Sequence, residues 1–125
     1  LLLASGALSH TFHKLRDLRK HEASDPKHIY SPEAYEYDLK VMEWFANGDH
    51  KAVLDDFDNF KKYKPEAGFY HYLAMAGALG EEANTSKGRL YSEYENSIGT
   101  GQVHIWFDKP EGGFPLPKDV TLSRD

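Results

Sequence analysis

Two residues with acid–base side chains, His10 and Glu66, occupy positions where the surrounding pattern predicts defined local structure. An apolar run, Leu1-Leu2-Leu3-Ala4, leads into Ser5-Gly6-Ala7-Leu8-Ser9-His10. This pattern predicts a buried strand, a tight glycine turn and a histidine just beyond the carboxyl end of the strand, where open α/β sheets bind ligands. Such a histidine is a candidate general acid or base, because an unperturbed imidazole titrates near physiological pH.

Glu66 directly follows Pro65, which predicts that it occupies the second position of a helix. The positive end of the helix dipole would keep its carboxylate ionised there. The spacing leaves simpler interpretations open. A glutamate is common at a helix start, and a histidine after a strand is more often a hydrogen-bonded structural residue than a catalyst.

Other chemistries find little support in the residue types. The chain has no cysteine, which excludes disulfides, thiolate metal sites and a cysteine nucleophile. No pair of its seven histidines has the i, i+4 spacing of a helical zinc site. Ser5 and Ser9 lie outside any Gly-x-Ser-x-Gly turn, which argues against a serine hydrolase.

Helix signals fill the middle of the chain. Ser31, Pro32 and Glu33 predict a helix start, and Gly48 predicts its end. Asp49 predicts the cap of a second helix, and Pro65-Glu66 the start of a third, rich in small residues, that Gly80 ends. The loop of residues 11–30 is predicted to be mostly irregular.

Strands are predicted before this helical block, at residues 1–4, and after it. Residues 88–94 and 102–107 are predicted to form strands, with a turn at Gly99-Thr100-Gly101 between them. The order predicts an α/β fold with a mixed central sheet flanked by helices. Because the chain opens within a predicted core strand, we expect residues 1–125 to be the carboxyl-terminal part of a single larger catalytic domain, with an irregular tail over residues 108–125.

Composition limits the partners. The net charge is −5 and basic residues alternate with acidic ones, so no basic face for nucleic acid is predicted. No apolar run approaches the ~20 residues that span a bilayer. The absence of cysteine is compatible with a reducing compartment, and we expect a cytoplasmic protein.

Three separated motifs, in order, resemble the type III extradiol ring-cleaving dioxygenases, the superfamily of the protocatechuate 4,5-dioxygenase β subunit. Ser5-Gly6-Ala7-Leu8-Ser9-His10 is similar to its Ser-Gly-x-x-Ser-His motif, and Glu66 precedes an Ala/Gly-rich helix as in the family. Ser97-Ile98-Gly99-Thr100-Gly101-Gln102-Val103 looks closest to the homoprotocatechuate (3,4-dihydroxyphenylacetate) 2,3-dioxygenase branch. The resemblance covers roughly residues 1–107.

The resemblance implies a non-haem Fe(II) held by two histidines and one glutamate, and a catecholic substrate cleaved by O2 to a muconic semialdehyde. By motif position, Glu66 is similar to the glutamate ligand. His10 is similar to the catalytic histidine, which does not bind the metal and exchanges a proton with the substrate. Nothing here matches the two ligand histidines, which lie near the family's amino terminus, so we expect a missing amino-terminal part to supply them. Analogy with relatives also implies a homo-oligomer.

Two alternatives stay open on the sequence. One is ring cleavage of a 2-aminophenol or a gallate, since the substrate pocket draws on residues outside this chain. The other is a structural or interaction relative that has lost iron. The presence of both His10 and Glu66 argues against the second alternative.

Overall fold

The computed structural model describes residues 1–115, and its helices lie in the middle of the chain. The α-helices are α1 (Pro32–Asn47), α2 (His50–Asp55), α3 (Phe57–Phe60) and α4 (Tyr70–Ala78). Short 3₁₀ helices cover Leu15–Lys20, Pro26–His28, Lys61–Tyr63, Glu66–Phe69 and Glu81–Ala83. None of these helices is long and apolar enough to cross a membrane.

Within residues 1–115, four strands pair in two small antiparallel sheets, which confirms the α/β class. Strand β1 (Gly88–Leu90) pairs with β4 (Ile105–Phe107), and β2 (Glu95–Ser97) pairs with β3 (Thr100–Gln102). Residues Ile98 and Gly99 join β2 to β3 in a two-residue turn with positive φ at both positions, 57° and 104°. That is the twist that a tight antiparallel hairpin favours.

The predicted bounds of the first helix and the predicted start of the second are confirmed, but the second helix ends at Asp55 instead of continuing through Phe60. The Ser31 hydroxyl accepts a hydrogen bond from the Ala34 amide at the start of α1. Gly48 takes the left-handed conformation, φ 74°, at its end. The Asp49 carboxylate then caps α2 through the Ala52 amide.

Other predictions about elements were wrong. The strand predicted over residues 88–94 ends at Leu90, and Thr100 and Gly101 of the predicted turn lie in β3. Residues 1–4 form no strand, and Leu1 and Leu3 are 105% and 80% exposed, because no strand within residues 1–115 lies beside them. The predicted strand over residues 102–107 changes partner near His104, so β3 and β4 belong to different sheets. The third helix begins at Tyr70, because Ala67, Gly68 and Phe69 have left-handed backbone angles. Of the predicted irregular tail, residues 116–125 lie outside the described residues.

Aromatic side chains pack the helices into one core, in which Leu8 is also buried. Phe69 packs against Phe60 and Tyr72, with ring centroids 4.9 Å apart in each pair. Phe45 of α1 meets Tyr72 at the same distance. The buried members of this core are Leu8, Val41, Phe45, Val53, Phe60, Phe69, Tyr72 and Ala76. The segment before His10 is therefore anchored in the core.

A side chain at Gly101 should have a measurable effect on stability. A Cβ at this position would collide with Asp38 Oδ2 and Tyr94 Oη, whereas one at Gly77 in α4 meets no atom within 4 Å. We expect Gly101→Ala to lower the free energy of unfolding by about 1–3 kcal/mol, the usual cost of overpacking. Gly77→Ala is the matched control and should be neutral or stabilising, because alanine favours a helix interior. Urea unfolding of both variants measures the difference, and equal stabilities would contradict it.

Candidate functional site

The segment of residues 8–10 lies between two other parts of the chain and is hydrogen-bonded to both. On one side, the Leu8 amide donates to the Gly101 carbonyl and the Gly101 amide donates to the Ser9 carbonyl, both at 3.0 Å. On the other side, the His10 amide donates to the Lys64 carbonyl (2.9 Å) and the Glu66 amide to the Leu8 carbonyl (3.1 Å). Ser9 thus forms an antiparallel bridge with Pro65.

This bridge brings together the two residues that the sequence singled out. In an antiparallel pair, residues on either side of a bridged position share one face. His10 and Glu66 are therefore diagonal neighbours on the face opposite Ser9, although they are far apart in the sequence. Such neighbours lie within reach of long side chains. The strand predicted before His10 is absent, but a histidine beside a hydrogen-bonded extended segment is present.

Glu66 sits in an unusual backbone setting rather than at an α-helix start. Its Oε2 accepts a hydrogen bond from the Ala7 amide at 2.5 Å, which ties it to the segment before His10. The next three residues, Ala67, Gly68 and Phe69, have φ of 48°, 63° and 63°. Left-handed non-glycine residues are strained by roughly 1–3 kcal/mol each, and such strain concentrates at functional sites. The predicted position of Glu66 at the second residue of the third α-helix was wrong, since α4 begins only at Tyr70.

The His10 imidazole is partly buried, and one of its nitrogens has no partner. Nδ1 is buried and receives no hydrogen bond from residues 1–115. The ring meets Phe12 edge-on, with centroids 4.9 Å apart. Burying a polar nitrogen without a partner costs free energy. A polar group from outside the described residues would satisfy it.

Ser9 is held from the opposite face by a buried carboxylate. Asp38 of α1 is fully buried, and its Oδ1 accepts from the Ser9 amide at 2.9 Å. Its Oδ2 accepts from the hydroxyls of Ser9 and Tyr94, each at 2.6 Å. Burial raises the pKa of Asp38 to about 6, against the lowering effect of these three hydrogen bonds. No sequence pattern singles out Asp38, which occupies an ordinary position in an amphipathic helix.

A second histidine, His71, lies near the same segment and was not predicted as a site residue. Its ring packs so closely against Gly6 that a Cβ there would collide with it. Its Nδ1 is also buried without a hydrogen-bond partner among the described residues. Burial lowers the pKa of His71, and the nearby Glu66 charge partly offsets that effect. Its position in mid-helix carries no sequence signal for this contact.

Three further histidines, spread through the predicted polar loop, meet in space. The rings of His13 and His21 stack with centroids 3.5 Å apart, and His21 Nδ1 lies 3.2 Å from His28 Nδ1. His13 Nε2 bonds to the His28 carbonyl at 3.0 Å. Burial, with the neighbouring charges of His13 and His28, lowers the pKa of His21. Together these contacts hold the loop folded on itself.

The remaining histidines have structural or exposed positions. His50 is buried, with Nδ1 3.0 Å from the Tyr72 hydroxyl and Nε2 2.8 Å from the Ser86 carbonyl. Burial lowers its pKa, and both of its nitrogens are satisfied, as in a core histidine. His104 is exposed beside β4.

Residues 1–115 contain no group of three His, Cys, Asp or Glu side chains placed to hold a metal ion. Glu66 nevertheless suits one ligand position. Its Oε2 is engaged by Ala7, and no described residue donates to its Oε1. A carboxylate oxygen is a ligand that Fe(II) accepts alongside imidazole nitrogens. Glu66 therefore fits the carboxylate position of a site with two histidine ligands and one carboxylate ligand.

An open apolar groove of about 670 Å³ runs beside the same segment. Its walls include Leu2, Leu3 and Leu8 on one side, and Ile105 and Phe107 of β4 on the other. His71 lines this groove, whereas His10 and Glu66 do not. The groove adjoins the bridge, but it does not itself contain the candidate site.

Comparison with protein families gives a match that spans most of the chain. Residues 1–108 match the model of the catalytic LigB subunit of aromatic ring-opening dioxygenase. The matched range contains the bridge between Ser9 and Pro65, and with it His10 and Glu66. No curated protein matches the chain.

Proposed function

The chain belongs to the family of the catalytic LigB subunit of aromatic ring-opening dioxygenases, and we propose that its protein is an Fe(II)-dependent extradiol enzyme acting on a catecholic acid. The substrate class that we favour is 3,4-dihydroxyphenylacetate or a close relative, which O2 would convert to a muconic semialdehyde. The observation that carries the proposal is the bridge at Ser9 and Pro65. It makes His10 and Glu66 diagonal neighbours, within the range that matches the family, and this supports the proposal.

Glu66 is the residue of this chain that would hold the iron, through the oxygen that Ala7 leaves available. Bound Fe(II) would supply the coordination of the catechol and of O2 that lets electron density pass from ring to oxygen. The hydrogen bond from Ala7 and the left-handed turn after Glu66 would orient the carboxylate before the metal arrives. Pre-orientation of this kind raises metal affinity.

His10 would move the proton. The ring cleavage requires a group that removes a proton from a substrate hydroxyl and later returns one to oxygen. His10 is fixed at its backbone by Lys64 and has a nitrogen that residues 1–115 leave without a partner. A general acid–base group in that role is worth about 10²–10⁴-fold in rate.

The rest of the site would come from outside this chain. We propose that an amino-terminal part of the same catalytic domain supplies two histidine ligands and packs against the apolar groove. Support comes from the exposed leucines of residues 1–3 and from Nδ1 of His10 and of His71, which find no hydrogen-bond partner within residues 1–115. The active protein would then be an oligomer of the completed domain, as analogy with the family suggests.

Loading the intact protein with Fe(II) without oxygen, then adding 3,4-dihydroxyphenylacetate and air, tests the activity. The expected result is a yellow ring-fission product formed with uptake of one O2 per substrate. A parallel panel with 2-aminophenol and gallate tests the substrate class. Tight stoichiometric iron without turnover of 3,4-dihydroxyphenylacetate would overturn the favoured substrate, and absence of iron binding would overturn the enzyme proposal in favour of a non-catalytic relative.

A further inference from the structure

Asp38 is a buried carboxylate that only uncharged groups contact. It is fully buried, and its three hydrogen bonds come from the Ser9 amide, the Ser9 hydroxyl and the Tyr94 hydroxyl. No ion pair within residues 1–115 includes it. A buried charge without a cation is costly to the folded state. This cost calls for a role beyond packing.

Every polar group of Ser9 is engaged, and Asp38 accounts for two of the three bonds. The Ser9 amide and hydroxyl donate to the carboxylate, and the Ser9 carbonyl accepts from the Gly101 amide at 3.0 Å. Asp38 lies in the first half of α1, a helix of 16 residues that is capped at both ends. The carboxylate therefore fastens the residue before His10 to a rigid element.

The space around the carboxylate is shaped for this contact. Gly101 has no side chain, and a Cβ there would occupy the place of Asp38 Oδ2 and Tyr94 Oη. The Gly101 backbone in turn bonds to Leu8 and Ser9. Three other parts of the chain, at Ser9, Tyr94 and Gly101, thus converge on the carboxylate that α1 carries.

We propose that Asp38 is a positioning residue for His10, fixing the backbone of Ser9 so that the imidazole is held against the substrate. This inference rests on the proposed function, because it assigns His10 a proton-transfer role. Asp38 does not touch the substrate in this proposal. It acts by removing the freedom of the residue that carries His10.

The protonation of Asp38 gives the proposal a pH signature. The ionised carboxylate accepts from all three donors, whereas a protonated one must itself donate from one oxygen. Tyr94 is the titratable side chain that reaches Asp38 among the described residues, and burial raises its pKa, so it stays protonated. With the pKa of Asp38 near 6, the hydrogen bonds that hold Ser9 to Asp38 should weaken as the pH falls below about 6.

The same pKa predicts how stability changes with pH. Its value in the folded protein, about 6, lies above the ordinary 3.8, so the folded state binds this proton more tightly than the unfolded state. The contribution of Asp38 to stability is therefore largest below pH 4 and is lost as the pH rises through 6. An asparagine would avoid this loss, so a role in stability alone would not favour an aspartate here.

The test is Asp38→Asn in the intact iron-loaded protein, which keeps the volume of the side chain but removes its charge. We expect kcat to fall about 10- to 100-fold, the usual effect of misplacing a catalytic group by a fraction of its reach. KM and iron content should stay within about twofold of the wild-type values, because Asp38 contacts neither the substrate nor the metal in this proposal. The fall in kcat between pH 7 and 5 that depends on Asp38 should disappear in the variant.

Asp56→Asn is the matched control. Asp56 also accepts a hydrogen bond from a tyrosine hydroxyl, that of Tyr37, but its side-chain hydrogen bonds within residues 1–115 do not involve residues 8–10. We expect this control to leave kcat unchanged. If Asp38→Asn fails to fold, Ser9→Ala and Tyr94→Phe each remove one hydrogen bond and should lower kcat roughly two- to tenfold. A wild-type kcat and pH profile in Asp38→Asn, or in both Ser9→Ala and Tyr94→Phe, would overturn the proposal.

A readout without turnover separates this inference from the proposed function. The ¹⁵N shifts of the His10 imidazole report its tautomer and surroundings, and we expect them to change in Asp38→Asn but not in Asp56→Asn. An inactive wild-type protein would refute the proposed function and leave this comparison valid. Unchanged His10 shifts would overturn the positioning role even if the enzyme is active.

Discussion

Replacing Glu66 by alanine should abolish stoichiometric iron binding and, with it, ring cleavage. Glu66 is the one metal ligand that we assign to this chain, and its Oε1 is the oxygen that would bind the metal. Residues that merely support a metal ligand cost about 10- to 100-fold in affinity when they are replaced. Loss of a ligand itself should exceed about 100-fold. Anaerobic titration of the intact protein with Fe(II) measures the affinity.

Two further variants make this result specific. Glu66→Gln keeps an oxygen that can accept from the Ala7 amide but removes the negative charge, so we expect weakened iron binding with an unchanged fold. Glu36→Ala removes an exposed glutamate from the surface of α1 and should bind iron as the wild type does. Stoichiometric, tight iron in Glu66→Ala would show that the metal is held elsewhere.

Replacing His10 by phenylalanine should give the opposite pattern, with iron retained and turnover lost. The phenyl ring fills the space of the imidazole but neither takes up nor releases a proton. Because a general acid–base group contributes about 10²–10⁴-fold, we expect kcat to fall by that factor. Iron affinity should stay near that of the wild type, since His10 is not assigned as a ligand. Steady-state oxygen uptake and iron analysis of the same sample measure both quantities.

The control for His10 is another histidine changed in the same way. His104→Phe alters an exposed position near β4 and should leave kcat unchanged. Wild-type turnover in His10→Phe would refute the proton-transfer role, whereas loss of iron in that variant would make His10 a ligand. Glu66→Ala and His10→Phe together separate metal binding from proton transfer, although the two residues flank the same bridge between Ser9 and Pro65.

Local signals predicted both ends of the first helix and the start of the second. Ser31, Pro32 and Gly48 act through hydrogen bonds and backbone angles that involve residues a few positions away, so their effects can be read from neighbours in the chain. The alternation around β4 is also local, and Trp106 is exposed there while Ile105 and Phe107 are partly buried. These predictions needed no knowledge of the rest of the molecule.

Predictions that depended on distant partners were wrong. The apolar residues 1–4 matched a buried strand, but a strand needs a neighbour to pair with, and the described chain provides none there. Pro65 and Glu66 matched a helix start, but the bridge to Ser9 and the hydrogen bond to Ala7 hold this segment in another conformation. Tertiary hydrogen bonds override a local preference that is worth about 1 kcal/mol.

The candidate site divides along the same line. Residue types and motif order were enough to single out His10 and Glu66 and to relate the chain to aromatic ring-opening dioxygenases, because chemistry depends on side-chain type. Their adjacency across the bridge, the clamp of Asp38 on Ser9 and the approach of His71 to Gly6 appear only in the folded chain. Asp38 is separated from Ser9 by 29 positions, so only the packing of α1 against the residues before His10 could reveal it.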